Sequence, residues 1–426
     1  MKDSFVIKGN IIWSETNKEL KSAEKGYLVI KDGLSEGVFD SIPEEYKDYE
    51  LIDAGDNLVV PGLVDLHVHA PQFAFRGTNM DLELMDWLNT YTFPEESKFS
   101  DISYADNIYS YFTEAIKKSA TTRVVAFSTL HVEGTMCLMD KLEKCGIISY
   151  VGKVNMDRNS PDELREESAE ASSENTIRWL EECEKRGYRC VKPILTPRFV
   201  PSCTDELMEK LSVIRKEWRL PVQSHLSENT GEVAFVKELE PWSQFYGDAY
   251  DKFGLFGGED GCIMAHCVLS GEDEIALMKK NGVFIAHCPE SNENLKSGIA
   301  PVRKYMEEGL NVGLGSDIAG GTTESIFDAA VDAVKVSKLY WRYVDNSFEP
   351  LSFSDAFYLA TKGGGAFFGK VGSFEKGYDG DVLILSDEAI PCPRYLSPVE
   401  RLERFAYLHG DKTGIKGKWV KGERIL

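Results

Sequence analysis

Val59-Val-Pro-Gly-Leu-Val-Asp-Leu-His67-Val-His69 is a short apolar run that ends in two histidines. Alternate residues of an extended chain share a face, so His67 and His69 lie on one side at the downstream end of that run. The arrangement recurs. His225 ends Leu220-Pro-Val-Gln-Ser-His, His266 ends Cys262-Ile-Met-Ala-His, and His287 ends Val283-Phe-Ile-Ala-His. His131 follows Val124-Val-Ala-Phe-Ser-Thr-Leu, and of the 7 histidines only His409 lacks this setting. Histidines buried for packing would scatter within such runs instead of collecting at their ends.

Three further runs, Ile147 to Val154, Cys190 to Pro197 and Asn311 to Asp317, bring the set to eight, each short and bounded by turn residues, as buried parallel strands are. Segments with helical spacing lie between them: Asp106 to Ser119, Glu163 to Lys185, Asp205 to Trp218, Glu272 to Lys280, Val302 to Glu308 and Glu324 to Leu339. Ala70 to Ser103 is too long for a tight connection and reads as a functional loop. Eight strands alternating with helices predict an α/β fold, a (β/α)8 TIM-like barrel, whose chemistry sits at the downstream strand ends. The flanks show strand-type alternation with turns at Lys31-Asp-Gly and Gly55-Asp-Asn. They predict a small, discontinuous β-sandwich domain formed by residues 1–58 and 371–426, with the barrel spanning 59–370.

The 426 residues suffice for a barrel-sized core plus a smaller companion. With 48 Lys and Arg against 70 Asp and Glu, the net charge of −22 argues against nucleic acid and anionic membrane surfaces as partners. No run of apolar residues is long enough to span a membrane, and Met1 to Gly9 has no apolar core of a secretory signal. The 9 cysteines are odd in number and scattered, without a Cys-x-x-Cys pair, which suits a reduced, cytoplasmic protein.

An isolated His-x-His pair is usually two unrelated surface residues. Here His225 and Asp317, at the ends of two other runs, supply further ligands for a divalent metal. Three imidazoles and one carboxylate leave room for a water, the open coordination of a catalytic zinc, although iron fits the same donors. Glu228, three residues after His225, is placed to shuttle protons between that water and a substrate; alone it would read as an acidic helix start after Ser227. His266 could hold an attacking hydroxide, hydrogen-bond a tetrahedral centre, or simply bond a backbone carbonyl. His287 is open between a site role and a structural one, His131 reads as structural support, and His409 as part of the flanking domain. Arg198, held between Pro197 and Phe199, could clamp a carbonyl or carboxylate. Gly364-Gly-Ala-Phe-Phe-Gly369-Lys370 has phosphate-loop spacing, but Val371 stands where Ser or Thr would hold magnesium, and no strand precedes it. Cys267 and Cys288 read as small apolar fillers beside strand-end histidines.

Taken together, Val60-Pro-Gly-Leu-Val-Asp-Leu-His-Val-His, His225-Leu-Ser-Glu228, His266, His287-Cys-Pro and Gly315-Ser-Asp317 resemble the ordered motifs of the amidohydrolase superfamily. Within it the chain is similar to the guanine deaminase family, through His69-Ala-Pro-Gln-Phe-Ala-Phe-Arg-Gly, Trp87-Leu-Asn-Thr-Tyr-Thr-Phe-Pro-Glu-Glu, Val151-Gly-Lys-Val-Asn-Met-Asp, Lys192-Pro-Ile-Leu-Thr-Pro-Arg-Phe and Gln223-Ser-His-Leu-Ser-Glu-Asn. The similarity is weak only in the first fifty residues. It implies one zinc ion per chain, held by His67, His69, His225 and Asp317, and hydrolysis of guanine to xanthine and ammonia in purine catabolism. It implies that Glu228 shuttles protons, that His266 stabilises the attacking hydroxide, that Asp317 also accepts the water proton, and that Gln72, Arg198 and Phe199 contact the purine. A homodimer is a further family expectation. A pterin, cytosine or chlorotriazine hydrolase of the same superfamily is the alternative, against which Gln72, Arg198 and the 70–103 insert favour guanine. Two departures stand out. Glu290 occupies a position where the family more often has a small uncharged polar residue, and is expected to point away from the ring. Leu408-His-Gly-Asp replaces the more usual Leu-Gly-Asp-Asp. No lysine ends the fourth strand, so a carbamylated, two-metal site is not expected.

Overall fold

The computed structural model describes residues 4–426; residues 1–3 of the expected flanking segment lie outside the described residues. Four strands come first: β1 (Phe5–Ser14), β2 (Leu20–Lys31), β3 (Leu34–Phe39) and β4 (Glu50–Pro61). Ten short strands follow in the middle of the chain: β5 (Leu63–His69), β6 (Thr121–Phe127), β7 (Ile148–Gly152), β8 (Val154–Asn155), β9 (Val191–Pro193), β10 (Thr196–Pro197), β11 (Val222–Leu226), β12 (Cys262–His266), β13 (Phe284–His287) and β14 (Asn311–Leu314). The last three are β15 (Val382–Leu385), β16 (Ile415–Val420) and β17 (Glu423–Arg424).

The middle strands form two parallel four-stranded sheets, β5-β6-β7-β9 and β11-β12-β13-β14, with β8 and β10 paired as a small third one. Hydrogen bonds join the sheets at both edges. Leu195 N donates to Pro221 O and Gln223 N to Leu195 O; at the opposite seam Asp317 N donates to His67 O and His69 N to Ile318 O. A helix follows each strand position, so the fold is of the TIM-barrel type. Val64, Leu66, Val125, Ile194, Ile263, Ala265 and Ala286 share one interior core, to which Phe367 and Phe368 add from below. The glycine-rich stretch has a packing role here: a Cβ on Gly313 of β14 would lie 2.6 Å from the Gly364 Cα and from a methyl of Leu66, so the close approach admits no side chain.

All eight expected runs contain strands, but Val59 to Pro61 pair with β1 and β15 in the flanking sheet, and the barrel strand begins at Leu63. The helix expected from Glu163 starts at Ala169, because the Ser168 side chain caps it there and residues 162–164 form a separate 3-10 turn. The helix Val132–Cys145 was not legible as a periodic segment, and it carries His131 at its N-terminal end. The 70–103 insert is not an irregular loop. It is a succession of short helical turns, among them Ala70–Phe75, Leu84–Trp87 and Phe93–Glu96.

Both termini contribute to one seven-stranded sheet of order β17-β16-β15-β4-β1-β2-β3. It is fastened to the barrel by buried charge. Arg123, at the start of β6, donates to Asp381 at 2.6 and 2.8 Å and to Asp379 at 3.0 Å, all in the segment leading into β15. The ammonium of Lys418 in β16 donates to the carbonyls of Ile116, Lys117 and Ser119 at the end of the helix Ile102–Lys118. No helix among the described residues is long and apolar enough to cross a membrane.

Arg123→Met would leave the buried Asp381 carboxylate without its guanidinium partner. It is expected to cost about 3–5 kcal/mol of unfolding free energy, read by denaturant titration, and a loss below about 0.5 kcal/mol would show that the fastening lies elsewhere.

Candidate active site

His67 and His69 leave the end of β5, His225 the end of β11, His266 the end of β12, and Asp317 follows β14. Their side chains meet over the barrel. The His69 Nε2 and His225 Nε2 atoms are 3.1 Å apart. Asp317 Oδ1 lies 3.2 Å from His67 Nε2 and 3.7 Å from His69 Nε2, and Asp317 Oδ2 lies 3.7 Å from His266 Nε2. Two groups of three, His67/His69/His225 and His67/His266/Asp317, each bring their ligand atoms within 4.8 Å of one another, and every member is buried.

The local backbone explains the convergence. By strand alternation His266 would face away from the side on which Ala265 lies. Its φ of +72° turns the chain out of the strand, and its ring ends 5.5 Å from those of His67 and His225. Ser227 (φ +48°), Cys267 (φ +50°) and Asp317 (φ +47°) also have left-handed backbones, so four non-glycine residues in this uncommon region cluster at one place, where strain of this kind accompanies function. Asp65 ties the seam together. Its Oδ1 accepts from the backbone N–H groups of His67 and Ser316 at 3.1 Å each, and its Oδ2 accepts from the Ser316 hydroxyl at 2.5 Å. Burial pushes its carboxyl up to about 6, against the lowering by those hydrogen bonds. Gly315 makes the same seam possible, since a Cβ there would lie 2.8 Å from that of His67.

The donor set fits a divalent cation. His225 Nδ1 donates to the Arg198 carbonyl at 2.6 Å, which leaves the Nε2 lone pair for a metal, with the ring oriented by its other nitrogen. His67 Nε2 is buried and faces Asp317 Oδ1 at 3.2 Å. Burial, followed by the neighbouring His67, holds His69 and His225 well below the usual imidazole range, which suits the neutral form a metal would take. Burial would raise the Asp317 carboxyl, but the His67 charge and hydrogen bond outweigh it and hold it at about 2.

A cavity of about 380 Å³ opens above these residues. His69, Gln72, Arg198, Phe199, His225, Glu228, His266 and Asp317 all line it, together with Leu84, Trp87 and Leu88 from the insert and Leu295. Glu228 Oε2 lies 3.4 Å from His266 Nε2, while its Oε1 accepts from the Ser297 hydroxyl at 3.3 Å. Burial, then the charge of Asp317, pushes the Glu228 carboxyl well above its ordinary value. Glu232 Oε2 accepts from the Glu228 backbone N–H at 3.0 Å and fixes the turn that presents it. His266 is oriented through Nδ1, which is 2.9 Å from Asn292 Oδ1.

The remaining candidates lie outside the cavity lining. Glu290 accepts from the Thr322 backbone N–H at 3.0 Å and from its hydroxyl, so it is turned away. His287 is buried with neither ring nitrogen hydrogen-bonded. His131 is next to the buried Lys153–Glu166 pair. His409, expected in the flanking domain, sets its Nδ1 2.7 Å from Asp328 on the barrel helix Ile326–Tyr343. Sequence reasoning assigned no role to Asp65, Glu96, Asn292 or Ser297. Asp65 and Glu96 sit inside motifs already quoted for other residues, and nothing but proximity in the fold singles out Asn292 and Ser297.

The Amidohydrolase family model matches residues 58–424. The chain belongs to the amidohydrolase family. Within it the resemblance narrows to one activity class. It is 39% identical over 417 residues to a guanine deaminase of Dictyostelium discoideum, covering 96% of this chain and 89% of that one. It is 38% identical over 378 residues to a guanine deaminase of Rattus norvegicus, covering 86% and 82%. A crystal structure of guanine deaminase from C. acetobutylicum with bound guanine in the active site matches over the full length of both chains, with a TM-score of 0.96 and 47% identity.

Asp65→Ala removes no ligand but releases both His67 and Ser316. It is expected to weaken metal affinity about 10- to 100-fold, measured by competition with a chelator; wild-type affinity would mean that the seam holds without it.

Proposed function

We propose that this chain hydrolyses guanine to xanthine and ammonia, with one zinc ion held by His67, His69, His225 and Asp317. The observation that carries this reading is the pairing of two features in one cavity: converging metal donors with Glu228 on one side, and the hydrogen-bond donors of Gln72 and Arg198 on the other. Bound there, a zinc ion supplies the Lewis acidity that makes water a nucleophile near neutral pH.

The chain's own groups do the rest. Arg198 has only donors to offer, and these match the C6 carbonyl of guanine. Adenine presents an amino group at that position and leaves the buried guanidinium unpaired, which disfavours it. Phe199 packs against the ring. Water adds through its oxygen to C2, and Asp317 accepts a proton from it. Glu228, whose raised affinity for protons lets it carry one at neutral pH, protonates N3, takes up the proton held by Asp317 and passes it to the exocyclic amine, and regains a proton from the added hydroxyl as the C2 carbonyl forms. The C2–N bond breaks and ammonia leaves. The two protons of the water end on N3 of xanthine and on ammonia. His266, fixed by Asn292, hydrogen-bonds the oxygen that adds to C2.

The flanking segments, residues 4–61 and 371–426 once Val59 to Pro61 are counted with the sheet they pair in, form in this reading a small β-sandwich domain apart from the barrel that begins at Leu63. Phe5 of β1 and Trp419 of β16 are three strands apart in the sheet order, yet their ring centroids are 5.8 Å apart. A flat sheet would separate them by about 14 Å, so the sheet curls over a core that includes Ile7, Ile30 and Val59.

The test is ammonia release from guanine, adenine, cytosine and a pterin, by the wild type and by Glu228→Gln, with metal content measured on each sample. Ammonia is expected from guanine only, and the variant should keep its metal while losing about 10²–10⁴-fold in kcat. Release from another base in place of guanine would overturn the substrate, and full activity of the variant would overturn the shuttle.

A further inference from the structure

Glu96 is only 1% exposed and ends the turn Phe93–Glu96 of the insert. It does not line the cavity but stands behind two residues that do. Its Oε1 accepts from Gln72 Nε2 at 2.8 Å, and its Oε2 accepts from Arg198 Nη1 at 2.5 Å. Phe93, three residues earlier, shares a face of the same turn. Its ring centroid lies 5.2 Å from the Arg198 guanidinium carbon. One helical turn therefore holds the guanidinium by its face and by its edge.

Gln72 is pinned at both ends of its amide, because its Oε1 accepts from the Ala319 backbone N–H at 2.9 Å. Flipping the amide would set its NH2 against that N–H and its oxygen against the carboxylate, two buried like-with-like contacts that cost about 1–3 kcal/mol each. With the Gln72 oxygen turned to the Ala319 backbone, the N–H groups that remain free are the second N–H of Gln72 and the guanidinium N–H groups not spent on Glu96. A carboxylate is the side chain that can impose this on both partners at once. A glutamine at position 96 could accept from one of them but would turn its own N–H groups toward the other.

We propose that Glu96 is a positioning residue that sets the purine preference of the site: it commits Gln72 and Arg198 to present donors only, so that the cavity binds a 6-oxopurine and rejects a 6-aminopurine. The inference rests on the guanine reading above and extends it to a residue that does not touch the ring.

The test compares wild type, Glu96→Gln and Glu96→Asp. The readouts are KM and kcat for guanine and inhibition constants for hypoxanthine, which keeps the 6-oxo group but has no amine at C2, and for adenine. Metal content and thermal unfolding are followed on the same samples. For Glu96→Gln, KM and the hypoxanthine constant are expected to rise about tenfold while kcat changes by less than about threefold, the pattern of lost ground-state binding. The preference for hypoxanthine over adenine should shrink by about tenfold, since the site no longer forces donors toward the ring. Glu96→Asp keeps the charge at shorter reach and should show the same changes at about threefold. It carries the test alone if the glutamine variant does not fold. Unchanged KM and unchanged preference would overturn the proposal, as would a fall in kcat with binding intact. A wild type inactive on guanine would refute the function; an active wild type with indifferent Glu96 variants would refute only this inference.

Discussion

Five buried side chains from four strand ends meet over the barrel with few hydrogen bonds among themselves, and the rest of the structure is arranged around that meeting. The His69 and His225 nitrogens approach to 3.1 Å, and Asp317 sits against the His67 ring with its charge out of water. Imidazoles and a lone carboxylate so confined are costly unless a cation completes them. The features that enforce the meeting are costly too: left-handed backbone at His266 and Asp317, a glycine at 315 where no Cβ fits, and the buried carboxylate of Asp65 across the seam between β5 and β14. The barrel bears these costs because its seam is closed by ordinary backbone hydrogen bonds on either side. The flanking sheet is fastened to the barrel through Arg123 and Lys418.

The second organising element is the insert between β5 and its helix. It supplies the apolar wall of the cavity, Leu84, Trp87 and Leu88, and the carboxylate that orders Gln72 and Arg198. The clustered histidines and Asp317 stand at barrel strand ends, and Arg198 follows β10, but it is the insert that orients Gln72 and Arg198.

Much of this was legible in the sequence because barrel strands are short, apolar and end in polar residues. Histidine is rare in this chain, so its repeated placement at strand ends marked both the fold and the centre. The motif resemblance then pointed to Gln72, Arg198 and Phe199, and all nine expected site residues gather at one place. What stayed hidden has physical reasons. The insert mixes 3-10, α and π turns of a few residues each, too short for any periodicity to register. The helix Val132–Cys145 places glycine and threonine on its buried face, which blurs its apolar stripe. Glu96 and Asp65 are acidic residues in an acidic chain, and only their burial against specific partners separates them from solvated charge. The turning of Glu290 away from the cavity depends on Thr322, more than thirty residues distant and in a loop.

The account stands or falls on the single metal. Its most direct test is to strip the chain with a chelator and titrate zinc back, following bound metal and guanine turnover together. Turnover should be absent in the stripped protein, rise in proportion to bound metal and saturate at about one ion per chain, as an open four-ligand centre requires. Undiminished turnover without metal, or saturation only at about two ions, would contradict it.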